Sequence, residues 1–232
     1  MAEAATLEER ARGDGVLERF LLLAFGTAWD HRRERGEATA LAGALLLELL
    51  RGGNLAVQHG AFHLKDEPAD PTLAAVAKEL GRIGPCPTNE ALLRLTRKAP
   101  ELVQPWKDLL VRSGVLADEH GKVLGLLRRS STRVVDGDRK ARLEQRLTRF
   151  LAGSGVPDTD TLLLLGLLEA SGTLERFLPR PTLPFNRRRI QGLITGRDSL
   201  GYRATGALQG LDETVLHAIL KDVRAASRLP LG

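Results

Sequence analysis

Apolar residues recur at helical spacing through Leu41, Leu45, Leu46 and Leu49, and the pattern stops at Arg51-Gly52-Gly53. A glycine pair at that point supplies the left-handed conformation on which helices commonly end. Two short apolar runs follow, Leu55 to Val57 and Ala61 to Leu64, joined at His59-Gly60. Short runs linked through a glycine predict a β-hairpin. The helix Ala38 to Leu50 carries no polar face wide enough to meet water, which makes it the expected centre of the core.

The same grammar extends along the chain. Val16 to Phe25 reads as a helix and Gly26 to Glu37 as an Arg-rich connection. Asp70-Pro71 places a capping carboxylate before a first-turn proline, starting a helix that runs to about Leu80. Gly84-Pro85-Cys86-Pro87 reads as a rigid loop, with Thr88-Asn89-Glu90 capping the helix after it. A further helix covers Trp106 to Arg112, and a second hairpin is expected from Val115 to Leu126, with Asp118-Glu119-His120 at its tip. The remainder divides into helices at Asp138–Leu151, Thr159–Ala170, Thr173–Leu178, Arg187–Ile194 and Asp212–Ala226. LLRGGNLAVQHG, from Leu49, and LLVRSGVLADEHG, from Leu109, superpose with Gly53 on Gly114, Leu55 on Leu116 and His59-Gly60 on His120-Gly121. Two helix-then-hairpin units are therefore expected in related local settings.

No change of composition and no flexible linker divides this pattern. The fold class that follows is mainly α: a single-domain helical bundle spanning 16–228, with two small β-hairpins at its edge, after a flexible N-terminus at 1–15. Composition agrees, with 43% hydrophobic residues but only 4% aromatic ones, so the core must be Leu, Ala and Val. Cys86 is the single cysteine, which points to a reducing, cytoplasmic setting. The apolar runs Phe20–Gly26 and Leu162–Leu168 are far shorter than the roughly 20 residues a membrane span requires. Net charge is +5, from 34 basic and 29 acidic residues, enough to permit an anionic partner without demanding one.

Candidate chemistry is sparse. Arg32, Arg33 and Arg35 form a basic cluster beside the central helix. Arg94, Arg97 and Lys98 form a second at helical spacing, and Arg187 to Arg189 a third. Such clusters can hold phosphate through charge-assisted hydrogen bonds, but solvated surface charge balanced by Asp30, Glu34 and Glu37 accounts for the first equally well. His59 and His63 lie across a hairpin with no Cys or Glu cluster converging on them, so no metal is expected. Arg128-Arg129-Ser130-Ser131 suits a basophilic kinase, although the pattern is common by chance. No nucleophile elbow, phosphate loop or zincin helix occurs, so neither enzymatic activity nor a cofactor is expected. A helix leading into a two-stranded wing is also the outline of a winged helix-turn-helix module. The candidate recognition helix, however, is apolar and bears only Glu37 and Glu48 as charges, which argues against nucleic acid.

In order and spacing, FLLLAF, GALLLELLRGGNLAV, DPTLAAVAKEL, DLLVRSGVL, ARLEQRL, LLLLGLLEASGTLERFLP and RRRIQGL resemble the Golgi phosphoprotein 3 family. Its eukaryotic members are peripheral membrane proteins that bind phosphatidylinositol 4-phosphate. The resemblance implies a helical domain without enzymatic activity, on an anionic membrane surface or a phosphoinositide, at the cytoplasmic face of the Golgi in a eukaryote. The family's headgroup pocket uses a Trp before the central helix, an Arg just before that helix's Gly, and two basic residues ahead of the second hairpin. In register with Gly43 and Gly114, these positions fall at about Arg33, on Ala42, and near Pro100 and Val103, and none carries the family residue. The expected headgroup contacts are therefore Arg32, Arg33, Arg94, Arg97 and Lys98. A protein partner or a second copy of the chain stays open, as does a cytosolic scaffold with no lipid role.

Overall fold

The computed structural model describes residues 15–24, 34–59, 61–123, 127–154, 157–176, 183–194, 208 and 211–228. The N-terminal stretch expected to be loosely held lies almost wholly outside them, and Trp29, Arg32 and Arg33 lie outside them as well. Among the described residues the protein is mainly helical. Helices α1 (Val16–Ala24) and α2 (Glu34–Arg51) precede strands β1 (Leu55–Gln58) and β2 (Ala61–Leu64). Helix α3 (Pro71–Ile83), strand β3 (Cys86–Pro87) and helices α4 (Thr88–Leu102) and α5 (Gln104–Arg112) come next. A hairpin of β4 (Leu116–Val123) and β5 (Leu127–Val134) leads into α6 (Gly137–Leu151), α7 (Thr159–Ala170), a 3-10 turn (Leu174–Arg176), α8 (Leu183–Ile194) and α9 (Glu213–Arg228).

Helix α2 is the hub, packed against α1, α4, α7 and α9. Leu45, Leu46, Leu47 and Leu49 have no exposed surface, as the all-round apolar sequence requires. The helices approach closely because glycine faces the contact. A Cβ on Gly43 would stand 2.7 Å from Val223 of α9 and 2.9 Å from Leu167 of α7. One on Gly166 would stand 2.8 Å from Ile194 of α8. Helix α7 is buried along its length, and its N-terminus is capped by Asp158, which accepts from Thr161 N–H at 2.7 Å. Asp70 caps α3 in the same way, accepting from Thr72 N–H at 2.8 Å, as the Asp-Pro pair predicts.

The two helix-to-strand junctions match bond for bond. Gly53 and Gly114 both have φ +74°. Gly53 N–H donates to Leu50 O and Asn54 N–H to Leu49 O, while Gly114 N–H donates to Val111 O and Val115 N–H to Leu110 O, all at 2.9–3.0 Å. These paired bonds back to the last turn are the Schellman termination. Leu55 and Leu116, each two residues on, are both buried as their strands begin.

Beyond that point the correspondence ends, and several expectations are corrected. His59 turns the first hairpin at φ 52°, but His120 and Gly121 lie inside β4, paired with Ser130 and Arg129. The second hairpin is longer than Val115–Leu126 and its return strand lies beyond that span. Its register runs on to Val123 with Leu127, so Asp118-Glu119-His120 lies within the paired strand and is not the tip. Side chains keep the strand running: Thr132 Oγ1 donates to Asp118 at 2.7 Å, and Lys107 of α5 pairs with Asp118 at 3.0 Å. The expected loop at Cys86-Pro87 is instead a short third strand on Phe62 and Ala61, giving the sheet order β1-β2-β3. Pro87, not Thr88, holds the N-cap position of α4 and makes no side-chain cap bond, while Asn89 Oδ1 accepts from the first-turn Glu90 N–H at 2.9 Å. Of the helix expected at Thr173–Leu178, Leu174–Arg176 forms a 3-10 turn, and residues 177 and 178 lie outside the described ones.

Candidate functional site

The second basic cluster lies on α4, whose sequence divides cleanly between two faces. Thr88, Ala91, Leu92, Leu95 and Ala99 are buried, while Leu93, Arg94, Arg97, Pro100 and Glu101 are exposed. Two of its three cations are already engaged. Arg94 pairs with Glu90 one turn back at 2.8 Å, and Lys98 reaches across to Glu79 of α3 at 3.1 Å. The hydrogen bond from Lys98 outweighs the opposing effect of burial and, with Arg82 at 3.2 Å, holds the Glu79 carboxyl below the usual range. Arg97 is exposed and has no side-chain partner among the described residues. Beside it stands Leu93, 47% exposed, so this face offers a free cation next to an apolar side chain.

Two of the positions that would form the family's headgroup pocket are closed. Ala42 has no exposed surface and Val103 is 6% exposed, so both belong to the core. Pro100 is exposed but carries no charge. Arg32 and Arg33 lie outside the described residues, in the connection from α1 to α2. Arg188, in the third cluster, is exposed, while Arg187 pairs with Glu175 at 2.6 Å. Arg189 turns inward, donating to Leu151 O at 3.1 Å with its guanidinium over the Phe150 ring.

Both helices flanking that connection are anchored by a partly buried ion-pair lattice that sequence reasoning missed. Glu48, near the end of α2, accepts from Leu17 N–H at 2.9 Å, so its carboxylate serves the start of α1. Its other oxygen pairs with Arg51 at 3.2 Å, and Arg51 Nε lies 2.8 Å from Asp160. Arg19 is buried in α1 and donates to both Asp158 and Thr161 at 2.9 Å, binding α1 to the start of α7. Burial opposes the charge on Asp158, but the bonds from Arg19 and Thr161 prevail and hold its pKa at about 2. Asp160 goes the other way: burial raises it above the usual range despite Arg51. The signal in sequence was Glu18-Arg19 inside an otherwise apolar helix, together with Asp158-x-Asp160-Thr161 at a helix start.

Other concavities are modest. A cleft of about 220 Å³ lies between the first hairpin and the end of α3, lined by Leu55, Phe62, Leu64, Leu80, His63 and Cys86. Burial pushes the Cys86 thiol up, with Glu90 adding to it, so it stays protonated and weakly nucleophilic. His59 and His63 are in the turn and strand of that hairpin, and no group of three or more metal-binding side chains gathers among the described residues. No helix among them is long and apolar enough to cross a membrane.

A glycine-approached helical core with two small antiparallel sheets and a basic surface helix defines a mainly helical class with an exposed cationic face. The sequence profile of the Golgi phosphoprotein 3 (GPP34) family matches residues 16–223, and the chain belongs to that family. Compared singly with curated proteins, the sequence finds no significant match.

Proposed function

We propose that this protein is a non-enzymatic peripheral membrane protein that binds anionic phospholipid, phosphatidylinositol 4-phosphate being the lipid its family suggests. Exposed Arg97, beside Arg94, Lys98 and exposed Leu93 on α4, is the observation that carries the reading; Arg32 and Arg33, outside the described residues, are proposed from the sequence as further headgroup contacts. The burial of Ala42 and Val103 leaves no clamp at the family's pocket positions, so recognition rests on charge more than on headgroup shape. Each basic side chain near an anionic leaflet contributes about 1 kcal/mol, screened over about 10 Å at 0.1 M salt.

Flotation with liposomes tests this directly. Binding to vesicles containing phosphatidylserine or phosphatidylinositol 4-phosphate should be strong at low salt, fall steeply by physiological salt, and track vesicle charge more than lipid identity. Arg94→Glu with Arg97→Glu should weaken it severalfold. Absence of binding to any anionic vesicle at low salt would leave the cytosolic scaffold as the better reading.

A further inference from the structure

Helix α6 carries Arg139, Arg142, Arg146 and Arg149 at intervals of three, four and three residues, one stripe along a helix. The stripe flanks the buried face of the helix, formed by Leu143, Leu147, Phe150 and Leu151. Arg142, Arg146 and Arg149 are exposed, and at 1.5 Å per residue they extend over about 10 Å. Arg139 pairs with Glu18 at 3.8 Å, and Arg146 lies 3.4 Å from Asp158, a carboxylate already satisfied by Arg19. The guanidinium groups of Arg142 and Arg149 have no partner among the described residues.

Over the preceding hairpin and this helix, Leu116 to Leu151, the chain has nine basic residues against five acidic ones, a net +4 of the whole protein's +5.

We infer that the exposed flank of α6 is a docking surface for an anionic bilayer. This deepens the membrane reading given above, on which it rests, by assigning the main electrostatic contact to α6 instead of α4. Arg142, Arg146 and Arg149 carry their charge on a helix whose neighbouring face is locked into the core, so they meet a planar anionic surface without unfolding anything.

The test uses the full chain and vesicles of phosphatidylcholine with or without 30% phosphatidylserine, near 50 mM salt. Each basic residue strengthens binding about fivefold, so Arg142→Glu, Arg146→Glu and Arg149→Glu together should weaken it about a hundredfold or more. The corresponding triple Arg→Lys variant should bind within a few-fold of the parent, since the contact is with charge. Thermal melts matching the parent would show that both variants fold, and Arg142→Glu with Arg149→Glu, which disturbs no ion pair, serves if the triple variant does not. If the parent binds and only the Arg94→Glu, Arg97→Glu variant loses binding, the membrane function stands and the α6 assignment falls. If the parent fails to bind either vesicle, both fall. Tighter binding to a 20-base-pair DNA than to the anionic vesicles at the same salt would overturn the bilayer as partner.

Discussion

Single residues reveal where this fold keeps its charge. Leu46 sits in a fully buried site, so Leu46→Ala should lower stability by about 2–5 kcal/mol in denaturant titration, and Leu46→Asp should prevent folding. Asp158 has the more specific signature. Its folded pKa of about 2 is below the ordinary 3.8, so the stability it contributes is complete above about pH 4 and is lost as pH falls towards 2. Asp158→Asn should therefore destabilise at pH 7 and flatten the acid limb of the stability profile below pH 4. Asp160, raised by burial, has the opposite sign: its ionisation as pH rises opposes folding, so Asp160→Asn should cost less at pH 7 than Asp158→Asn. Thermal melts of both variants across pH 2–7 check the pair. None of this was visible in the sequence, because Glu48 and Asp160 read alike as acidic residues until burial and partners separate them.

Elements were more legible than residues. Helices α1, α2, α3 and α7 fall close to where apolar spacing and capping signals place them, since those cues act within a few residues. The junctions at Gly53 and Gly114 were also legible, and the same φ of +74° in both explains the shared glycine. Gly53→Ala and Gly114→Ala should each cost about 1–2 kcal/mol in thermal or chemical unfolding, with nearly equal effects if the two terminations are equivalent. The second hairpin was misread because Gly121 resembles a turn signal. Register across eight residue pairs, with the bonds Asp118 makes to Thr132 and Lys107, overrides that local cue.

At the scale of the molecule, charge is unevenly spread although the sequence total looks mild. Residues 116–151 hold most of the excess, so the salt dependence of vesicle binding should steepen or flatten mainly with substitutions there and on α4. A control such as Arg82→Gln, paired with the half-buried Glu79, should change it little. By itself, the sequence determined the helical class, the central helix, the glycine-terminated junctions and membership of a family, all of which depend on local spacing and order. Tertiary structure alone decided which charges are spent and which are free. Arg19, Glu48, Lys98 and Arg189 are consumed in caps and ion pairs, whereas Arg97, Arg142 and Arg149 face solvent. That division depends on which helices meet, and contacts between residues 139 and 142 positions apart, as between Arg19 and Asp158 or Thr161, lie beyond any local pattern.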